Sequence, residues 1–450
     1  MSLNLDSLLA TYDVVKSPLR QMFWRKERQA EGISYPIPIK QQYVDFMKAI
    51  LGLHLIEMEH LDHVKELEIR TSYPYNFYPI TDKLESLFFL LSNHKIRLKI
   101  NPSRSHYSWK RFDDCCPYQK IVLFSGGLDS LCGALDLSRN HRIVLSHCIT
   151  NQFVFGRVLK LANVSAFSKS VLYCCDARTK RTTGGMSETR GLLFLSFAYA
   201  IAASLQLRSV VFCENGSQML DVMLGSLTYP NKQATKNTNL NYIKRIEDIF
   251  SGYDDKEFRI ECPYKDMTKA EMLAPFKGAM SLEDTFSCFT TRFGTAMCGI
   301  CYNCFIRRCS LLAIGVKEGD KAYEINPLEF DPTVAGKKSY MDTTDILVHL
   351  LRFYHKILVS DAAALSEVEI NSRDYFKDPY DLATRFACDI FLGVKALLQT
   401  TSPHGLNALG KKANELLNQI DKKTLQERKE ELAKKDTRSS TTLGLPPMVL

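Results

Sequence analysis

The chain lacks the long apolar run that a membrane-spanning helix needs, because polar and charged residues interrupt every hydrophobic stretch of the sequence. Its first residues, MSLNLDSLLATYDVVK, contain neither the basic leader nor the apolar core of a secretory signal peptide. The net charge of +8 is modest for 450 residues, so it permits an anionic ligand without requiring nucleic acid. We therefore expect a cytoplasmic protein with no membrane contact and no nucleic-acid partner.

The 14 cysteines do not show the pattern of a disulfide framework. Most occupy scattered apolar positions, but Cys288, Cys298, Cys301 and Cys304 follow the spacing C-x9-C-x2-C-x2-C. Four thiolates suit tetrahedral zinc in a closed structural site, with Zn–S bonds of about 2.3 Å. An iron–sulfur cluster uses similar ligands, and unrelated buried cysteines are the simplest alternative. Cys309 is predicted to belong to the core.

A glycine-containing loop lies between a predicted strand and a predicted helix in the stretch IVLFSGGLDSLCGALDL, residues 121–137. Two adjacent glycines let backbone N–H groups approach an anion closely, and a helix N-terminus carries partial positive charge. Ser125 and Ser130 add hydroxyl groups, and we expect Asp129 or Ser130 to cap the helix. The loop is therefore predicted to hold phosphate.

This loop lacks the lysine of GxxxxGK[ST], so it is not the P-loop of the common NTPases. SGGLDS instead resembles the PP-loop of the N-type ATP pyrophosphatases, which split ATP between its α and β phosphates. The alternative is an ordinary strand–turn–helix connection that binds nothing.

Strands and helices alternate after the loop. Short apolar strands are predicted at Ile143–Ile149, Val171–Cys175, Val210–Cys213 and Phe258–Cys262, with a long apolar helix at Leu192–Leu207. Such alternation predicts a parallel sheet, in which ligands bind beyond the carboxyl ends of the strands. That rule places five segments around one crevice: Ser125–Ser130, Thr150–Gln152, Asp176–Arg190, Glu214–Asn215 and Pro263–Lys269.

Four regions are predicted along the chain. Residues 1–117 form an α+β extension, 118–316 the ATP-binding domain with the cysteine cluster, 317–433 a helical region and 434–450 a disordered tail. Within the second region, Tyr229–Asn241 is rich in polar residues and is predicted to be a flap over the crevice. In the third, Leu406–Leu432 is predicted to be one charged, exposed helix.

Four elements follow the order and spacing of the QueC family, the 7-cyano-7-deazaguanine synthases. They are the SGGLDS loop, Arg190 ahead of an apolar helix, the run ECPYKDMTKAE at Glu261–Glu271, and the cysteine cluster between Thr285 and Arg307. Residues 118–316 therefore resemble QueC. The resemblance implies a Rossmann-like α/β fold of the HUP, or adenine nucleotide α-hydrolase, type with a zinc-binding segment.

The chain departs from the family in its substrate elements. The family's G-Q-x-H is replaced by Asn-Gln-Phe at 151–153, and its S-G-Y-P-D-C-R is reduced to Gly-Ser at 225–226 and Tyr-Pro-Asn at 229–231. We therefore expect the nucleophile or the acceptor of the reaction to differ. The extensions on both sides resemble those of longer QueC-like proteins in bacterial anti-phage operons, of the Qat and type IV CBASS types.

The resemblance also implies roles for individual residues. ATP-binding residues would be Ser125, Gly126, Gly127, Leu128, Asp129, Ser130 and Arg190. Catalytic residues would be Asp129, Ser130, Arg190 and Lys269, of which Asp129 orients the loop or helps to bind Mg²⁺ and the two cations stabilise negative charge. Exposed salt bridges are the alternatives for both cations. Glu214, Asn215 and Tyr229 would contact the substrate. The basic loop of Arg178, Lys180 and Arg181 is predicted to be a solvated surface.

The implied reaction is the adenylation of 7-carboxy-7-deazaguanine, followed by attack of an amine that displaces AMP. The amine is ammonia, giving the amide and with a second ATP the nitrile, or an amine on a partner protein from a defence operon. The implied cofactors are ATP, Mg²⁺ and Zn²⁺, and the implied assembly is a homodimer. Two other functions remain open: a PP-loop enzyme that modifies another substrate such as tRNA, and a nucleotide-binding scaffold in a defence complex.

Overall fold

The computed structural model describes residues 2–11, 23–26, 39–103, 117–150, 152–163, 165–177, 188–220, 238–278, 284–288, 296–319, 322–329, 338–372 and 375–442. The strands are β1 Ser2–Asn4, β2 Phe23–Lys26, β3 Glu66–Thr71, β4 Arg97–Pro102, β5 Lys120–Leu123, β6 Ile143–Ile149, β7 Val171–Asp176, β8 Ser209–Val211 and β9 Arg259–Glu261. The helices are α1 Leu5–Thr11, α2 Gln41–Met58, α3 Pro74–Phe77, α4 Thr81–Ser92, α5 Leu128–Ser138, α6 Gln152–Ala162, α7 Arg190–Ser204, α8 Gly216–Met219, α9 Leu240–Asp254, α10 Lys269–Leu273, α11 Tyr302–Ala313, α12 Lys338–Leu358, α13 Ala362–Ser372, α14 Pro379–Gln399, α15 Ala408–Leu417 and α16 Lys422–Thr442.

The chain forms two compact units. The first contains the described residues of Met1–Gly126, Gly133–Cys213 and Thr235–Pro263, and the second those of Gly127–Cys132, Glu214–Ala234 and Tyr264–Leu450. This division does not test the predicted boundaries at 117, 316 and 433, which stay predictions.

Both sheets lie in the first unit. One has the strand order β2-β7-β6-β5-β8-β9, and the other has the order β1-β3-β4. Strands β5 to β9 pair in parallel, whereas β2 pairs antiparallel with β7 at the edge. The predicted α/β fold with a parallel sheet is confirmed, and the carboxyl ends of β5 to β9 lie along one edge of the sheet.

The central strands are buried as a parallel sheet requires. Every residue of β6 is buried, which is typical of a strand that is covered by helices on both faces. Helix α7, with the sequence RGLLFLSFAYAIAAS, is apolar around its whole circumference and lies against β5, β6, β8 and α2. A helix that is apolar on all sides must be buried on all sides. Helix α7 therefore lies at the centre of the first unit.

Helix α2 joins this core through aromatic packing. The ring of Tyr199 on α7 stacks on Phe250 of α9, with centroids 4.3 Å apart. Phe46 of α2 meets Tyr199 edge-on at 5.5 Å. Aromatic pairs of these geometries contribute about 0.5–1.5 kcal/mol beyond the burial of their area. The N-terminal extension is therefore packed into the same hydrophobic core as the sheet.

The second unit is mostly helical, with α14 at its centre against α11, α12, α15 and α16. A Cβ atom at Gly393 of α14 would lie 2.3 Å from Cα of Cys309 on α11. Glycine is therefore required where these two helices cross. Among the residues that the structure describes, no helix is both long enough and apolar enough to cross a membrane.

The prediction of one exposed helix over Leu406–Leu432 is wrong. The segment contains α15 and α16, which are separated at residues 418–421. Arg428 of α16 is buried, because carboxylates from distant parts of the chain surround it. Helix α16 continues to Thr442, into the region that was predicted to be a disordered tail.

Candidate functional site

The SGGLDS loop connects β5 to α5 and depends on glycine at its second position. Gly126 has a left-handed backbone with φ of +82°, a conformation that residues with a side chain rarely adopt. A Cβ atom at this position would also lie 2.7 Å from Cγ2 of Val158. The loop can therefore turn tightly between strand and helix only with glycine here.

Helix α5 begins at Leu128, earlier than a cap at Asp129 or Ser130 would allow. The amide of Leu131 already donates to the carbonyl of Gly127 at 3.1 Å, so both polar residues lie within the first turn. The prediction that one of them caps the helix is wrong. The hydroxyl of Ser130 instead donates to the carbonyl of Gly127 at 3.0 Å.

Asp129 contacts two other predicted site residues within the second unit. The Nζ atom of Lys269 donates to both carboxylate oxygens of Asp129, at 2.6 and 2.7 Å. The side-chain amide of Asn215 donates to Oδ2 of Asp129 at 2.8 Å. Both charged side chains are only 7% exposed. A buried ion pair adds little net stability because its charges have lost water, so its presence beside this loop favours a functional role.

Asn215 is held in place by the residue that follows it. The amide of Gly216 donates to the carbonyls of Tyr264 and Met267, at 3.0 and 2.8 Å. A Cβ atom at Gly216 would lie 1.7 Å from the carbonyl oxygen of Lys265. Only glycine allows this backbone approach, which fixes the segment after β8 against the turn that leads into α10.

Glu214 lies beside the same ion pair. Burial and the neighbouring Asp129 carboxylate together raise the pKa of Glu214 to about 8, although the Lys269 ammonium lowers it. Its Oε2 atom is buried and has no hydrogen-bond partner among the residues that the structure describes. Glu214 is therefore mainly protonated at neutral pH.

Lys269 is the first residue of α10, whose N-terminus is fixed by a capping box. The Oγ1 atom of Thr268 accepts from the amide of Glu271 at 3.2 Å, and Oε2 of Glu271 accepts from the amide of Thr268 at 2.9 Å. The sequence signal for this arrangement is T-K-A-E, a threonine followed three residues later by glutamate. The capping box fixes the first turn of α10 and so the direction in which the Lys269 side chain projects from it.

Arg190 lies in the first unit, at the start of α7, and its side chain is exposed. It forms no ion pair with any residue that the structure describes. The amides of Glu188 and Thr189 donate to the carboxylate of Glu57 at 2.8 and 3.0 Å, and the hydroxyl of Thr189 also donates to it. The Nδ1 atom of His54 lies 2.8 Å from Oγ1 of Thr189. Helix α2 therefore holds the turn that presents Arg190.

These contacts from α2 could not be predicted, because no local sequence pattern indicates the distant partner of a glutamate or histidine on an apolar helix. Several predicted residues cannot be compared with the structure. Tyr229, Asn151, the basic residues Arg178, Lys180 and Arg181, and most of the predicted flap lie outside the described residues.

The four cysteines of the predicted metal site come together in the second unit. Their sulfur atoms all lie within 4.8 Å of one another, and Sγ of Cys298 and Sγ of Cys304 are 3.9 Å apart. A zinc ion with bonds of about 2.3 Å spaces its four thiolates about 3.8 Å apart. The donor set and its dimensions therefore fit zinc.

Arg307 connects the two ends of the segment that contains the cysteine cluster. Its Nε and Nη2 atoms donate to Oε1 of Glu318 at 3.0 and 2.6 Å, and its Nη1 atom donates to the hydroxyl of Ser287 at 3.2 Å. The hydroxyl of Tyr323 also donates to Glu318. The arginine side chain is fully buried. It links the residue next to the first cysteine with the chain beyond the last one.

A family model described as queuosine biosynthesis protein QueC matches residues 156–315. This segment is similar to an ATP-using, ligase-type enzyme family of the PP-loop superfamily. It contains Arg190, Asn215, Lys269 and the four cysteines, but not the SGGLDS loop, which precedes it. No curated protein matches the chain significantly. The likeness covers about a third of the chain.

Proposed function

We propose, starting from the QueC-like character of residues 156–315, that the protein is an ATP-dependent ligase that adenylates a 7-deazapurine carboxylate and transfers it to an amine. One observation carries the proposal. Asp129 of the SGGLDS loop binds Lys269 and Asn215, and both of these residues belong to the segment that matches QueC. The contact joins the predicted phosphate loop to the family-like segment within one compact unit.

In the first half-reaction, a carboxylate oxygen of 7-carboxy-7-deazaguanine attacks the α-phosphorus of ATP. The bond from that phosphorus to the oxygen bridging to the β-phosphate breaks, and diphosphate leaves with the electron pair. The backbone N–H groups of Ser125–Ser130 and the two serine hydroxyls would bind the phosphates at the start of α5. Arg190 would neutralise part of the charge that develops.

Of the two candidate cations, Lys269 is the one that an ion pair within the structure holds in place. Asp129 neutralises Lys269 before ATP binds and prevents the ammonium from turning into solvent. When the triphosphate binds, its oxygens would become further partners of the same ammonium. Nucleotidyl transfer relies chiefly on cations that are positioned in advance, and this pair meets that requirement.

Magnesium belongs to the proposal because ATP-using enzymes bind it through carboxylate and phosphate oxygens. Asp129 and Glu214 would hold the ion, and Glu214 would lose its proton on binding it. One carboxyl oxygen of Glu214 is buried without a partner among the described residues. These oxygens fit a hard divalent cation. When bound, the ion would neutralise charge on the phosphates.

In the second half-reaction, the amine nitrogen attacks the acyl carbon, AMP leaves with the bonding electrons, and the nitrogen loses a proton. Asn215 and Glu214 would hydrogen-bond the polar edge of the deazapurine, with Tyr229 as a third contact. The acceptor is ammonia, which gives the amide and with a second ATP the nitrile, or an amine on a partner protein. The altered substrate elements favour the partner protein, and the extensions, which resemble those of defence-associated proteins, favour a role in anti-phage defence.

The proposal is tested by incubating the purified protein with ATP, Mg²⁺ and 7-carboxy-7-deazaguanine, and by measuring AMP by chromatography. We expect AMP only when the acid is present. The matched control is the double variant Asp129→Asn with Lys269→Met, which removes both charges of the buried pair together. AMP formation that is the same without the acid, or that requires tRNA instead, would contradict the proposed substrate, and no AMP at all would favour a scaffold.

A further inference from the structure

The last helix, α16, contributes one arginine to a buried polar cluster around α10. The Nε atom of Arg428 donates to Oδ1 of Asp389 at 2.7 Å, and its Nη1 atom donates to Oε1 of Glu271 at 3.0 Å. Its Nη2 atom lies 3.3 Å from Oγ1 of Thr268. Arg428 is 4% exposed, whereas Thr268, Glu271 and Asp389 are 0% exposed. One guanidinium therefore holds three buried side chains.

Glu271 is bound by two further cations. Arg385 of α14 donates to its Oε2 atom, and Nζ of Lys435 on α16 lies 2.9 Å from its Oε1 atom. Burial alone would raise the pKa of Glu271, but Arg428, Arg385 and Lys435 lower it to about 2. Glu271 is therefore ionised at neutral pH and fixed from two helices.

These contacts concern the two residues that form the capping box of α10. Thr268 directly precedes Lys269, and Glu271 closes the same helical turn. Buried ionic clusters are seldom more stabilising than apolar packing of the same volume, and their best-attested use is to select one arrangement. Here the selected arrangement is the first turn of α10, which directs the Lys269 ammonium to Asp129.

We propose that Arg428 is a positioning residue for Lys269, so that the C-terminal helix determines where the ammonium of the candidate site lies. The consequence for catalysis rests on the proposed function. The position of the Lys269 ammonium does not depend on the proposed function, because it can be measured in the protein without substrate.

The placement is tested by lysine labelling. A short pulse of an amine-acetylating reagent is applied without ATP, and modification of Lys269 is measured by mass spectrometry. Arg428→Met is expected to speed labelling of Lys269 roughly tenfold, because loss of a charged hydrogen-bond partner raises the population of locally open states. Lys120 of the first unit, 27% exposed, serves as the internal reference and is expected to keep its rate.

Two control variants separate positioning from general loosening. Lys423→Met removes an 80% exposed side chain from the same helix and is expected to leave Lys269 labelling unchanged. Leu432→Ala creates a cavity under α16 and leaves every charged group of the cluster in place, since Leu432 is an apolar side chain that is 2% exposed. Labelling in Leu432→Ala as fast as in Arg428→Met, at matched free energy of unfolding, would overturn the proposal.

If Arg428→Met does not fold, two milder variants replace it. Arg428→Lys keeps the charge but replaces the three separate nitrogens of the planar guanidinium with one ammonium. Glu271→Gln keeps the capping-box geometry but removes the carboxylate charge. Both are expected to speed labelling of Lys269. A wild-type labelling rate in the folded variants would disprove positioning by Arg428.

Kinetics provide the second measurement. If the wild-type protein makes AMP, Arg428→Met is expected to lower kcat by about 10- to 100-fold, because small misplacements of catalytic groups have effects of this size. The KM for ATP is expected to change less than about threefold, because the loop still binds the phosphates. If the wild-type protein makes no AMP, the proposed function fails, while the labelling experiment still decides the positioning.

Discussion

Asp129 and Lys269 form an ion pair through both carboxylate oxygens although 140 residues separate them in sequence. Each side chain is 7% exposed. Both charges have lost most of their water, and each compensates the other. The side-chain amide of Asn215 adds a hydrogen bond to Asp129 alone. Removal of either side chain therefore leaves the charge of the other buried and uncompensated.

This leads to a prediction for single and double variants. Asp129→Ala is expected to abolish AMP formation and to lower the free energy of unfolding by about 3–5 kcal/mol, because it leaves the Lys269 charge buried and unpaired. The double variant Asp129→Asn with Lys269→Met is expected to regain most of the stability without regaining activity. Urea unfolding and AMP release measure the two effects. Wild-type AMP formation by folded Asp129→Ala would contradict the role of the loop.

The cysteine cluster predicts a metal requirement for folding. Metal analysis of freshly purified protein is expected to find one zinc ion per chain. Cys301→Ser or Cys304→Ser is expected to lose the ion and to fold poorly, because the binding energy of a closed thiolate site is folding energy. Cys309→Ser is the matched control, since that thiol lies outside the cluster. Protein with neither zinc nor iron would contradict the prediction.

Protonation of buried His147 is expected to lower the free energy of unfolding in acid. Burial lowers the pKa of His147 to about 4, although the hydrogen bond from Nδ1 to the carbonyl of Phe124 opposes the shift. The folded-state pKa lies below the unfolded value of about 6.5, so this contribution is complete above pH 6.5 and is lost as the pH falls toward 4. Between pH 7 and pH 5 the loss is about 2 kcal/mol.

The measurement for His147 is urea unfolding of the first unit at pH 7 and at pH 5. His147→Gln, which cannot be protonated, is expected to show a smaller acid loss than the wild-type protein. His404→Gln, at an exposed position, is expected to show the wild-type loss. An unchanged acid loss in His147→Gln would show that other groups account for it, with buried His54 the first candidate.

Glu57 predicts that the N-terminal extension supports the start of α7. Glu57→Ala removes the acceptor for two backbone amides and the hydroxyl of Thr189. We expect a loss of about 1–2 kcal/mol in the free energy of unfolding, as for other lost helix caps. Glu257→Ala, which removes a 73% exposed carboxylate of the same unit, is the control. Equal stability of both variants would rule out this role.

The altered substrate elements predict an unusual acceptor. If the protein is co-expressed with proteins encoded beside its gene, the proposed function predicts that intact-mass spectrometry finds a deazapurine mass on one of them. The matched control is co-expression with the Asp129→Asn and Lys269→Met double variant. Unmodified neighbours, together with release of free 7-cyano-7-deazaguanine from the acid and ammonia, would identify an ordinary synthase.

Much of the sheet could be predicted because its signals are local. Apolar runs located β6 at the residues that the structure shows, and located β7 to within one residue. The antiparallel strand β2 was missed, since four residues such as FWRK show no clear alternation. The spacing of the cysteines sufficed to predict the cluster, because ligands that are two residues apart in a turn can bind the same metal ion.

The charged parts of the second unit show the limit of local reasoning. Arg428 lies on a helix rich in lysine and glutamate, where a charged residue is normally solvated. Its partners Asp389 and Glu271 are 39 and 157 residues away, so no local pattern indicates that it is buried. Lys269 was predicted to be a site residue from a family resemblance, whereas its pairing with Asp129 required the structure.

The position of Arg428 late in the sequence has a consequence for biosynthesis. A ribosome completes the SGGLDS loop and α10 long before it adds α16. Until then Asp389 lacks its cation from α16, and of the cations that the described residues place on Glu271, Arg385 is the one already synthesised. These carboxylates must stay hydrated in a nascent or prematurely terminated chain, because buried unpaired charges are too costly. An ordered Lys269 therefore requires that α16 has been synthesised, and under the proposed function a chain that stops before α16 would form no AMP.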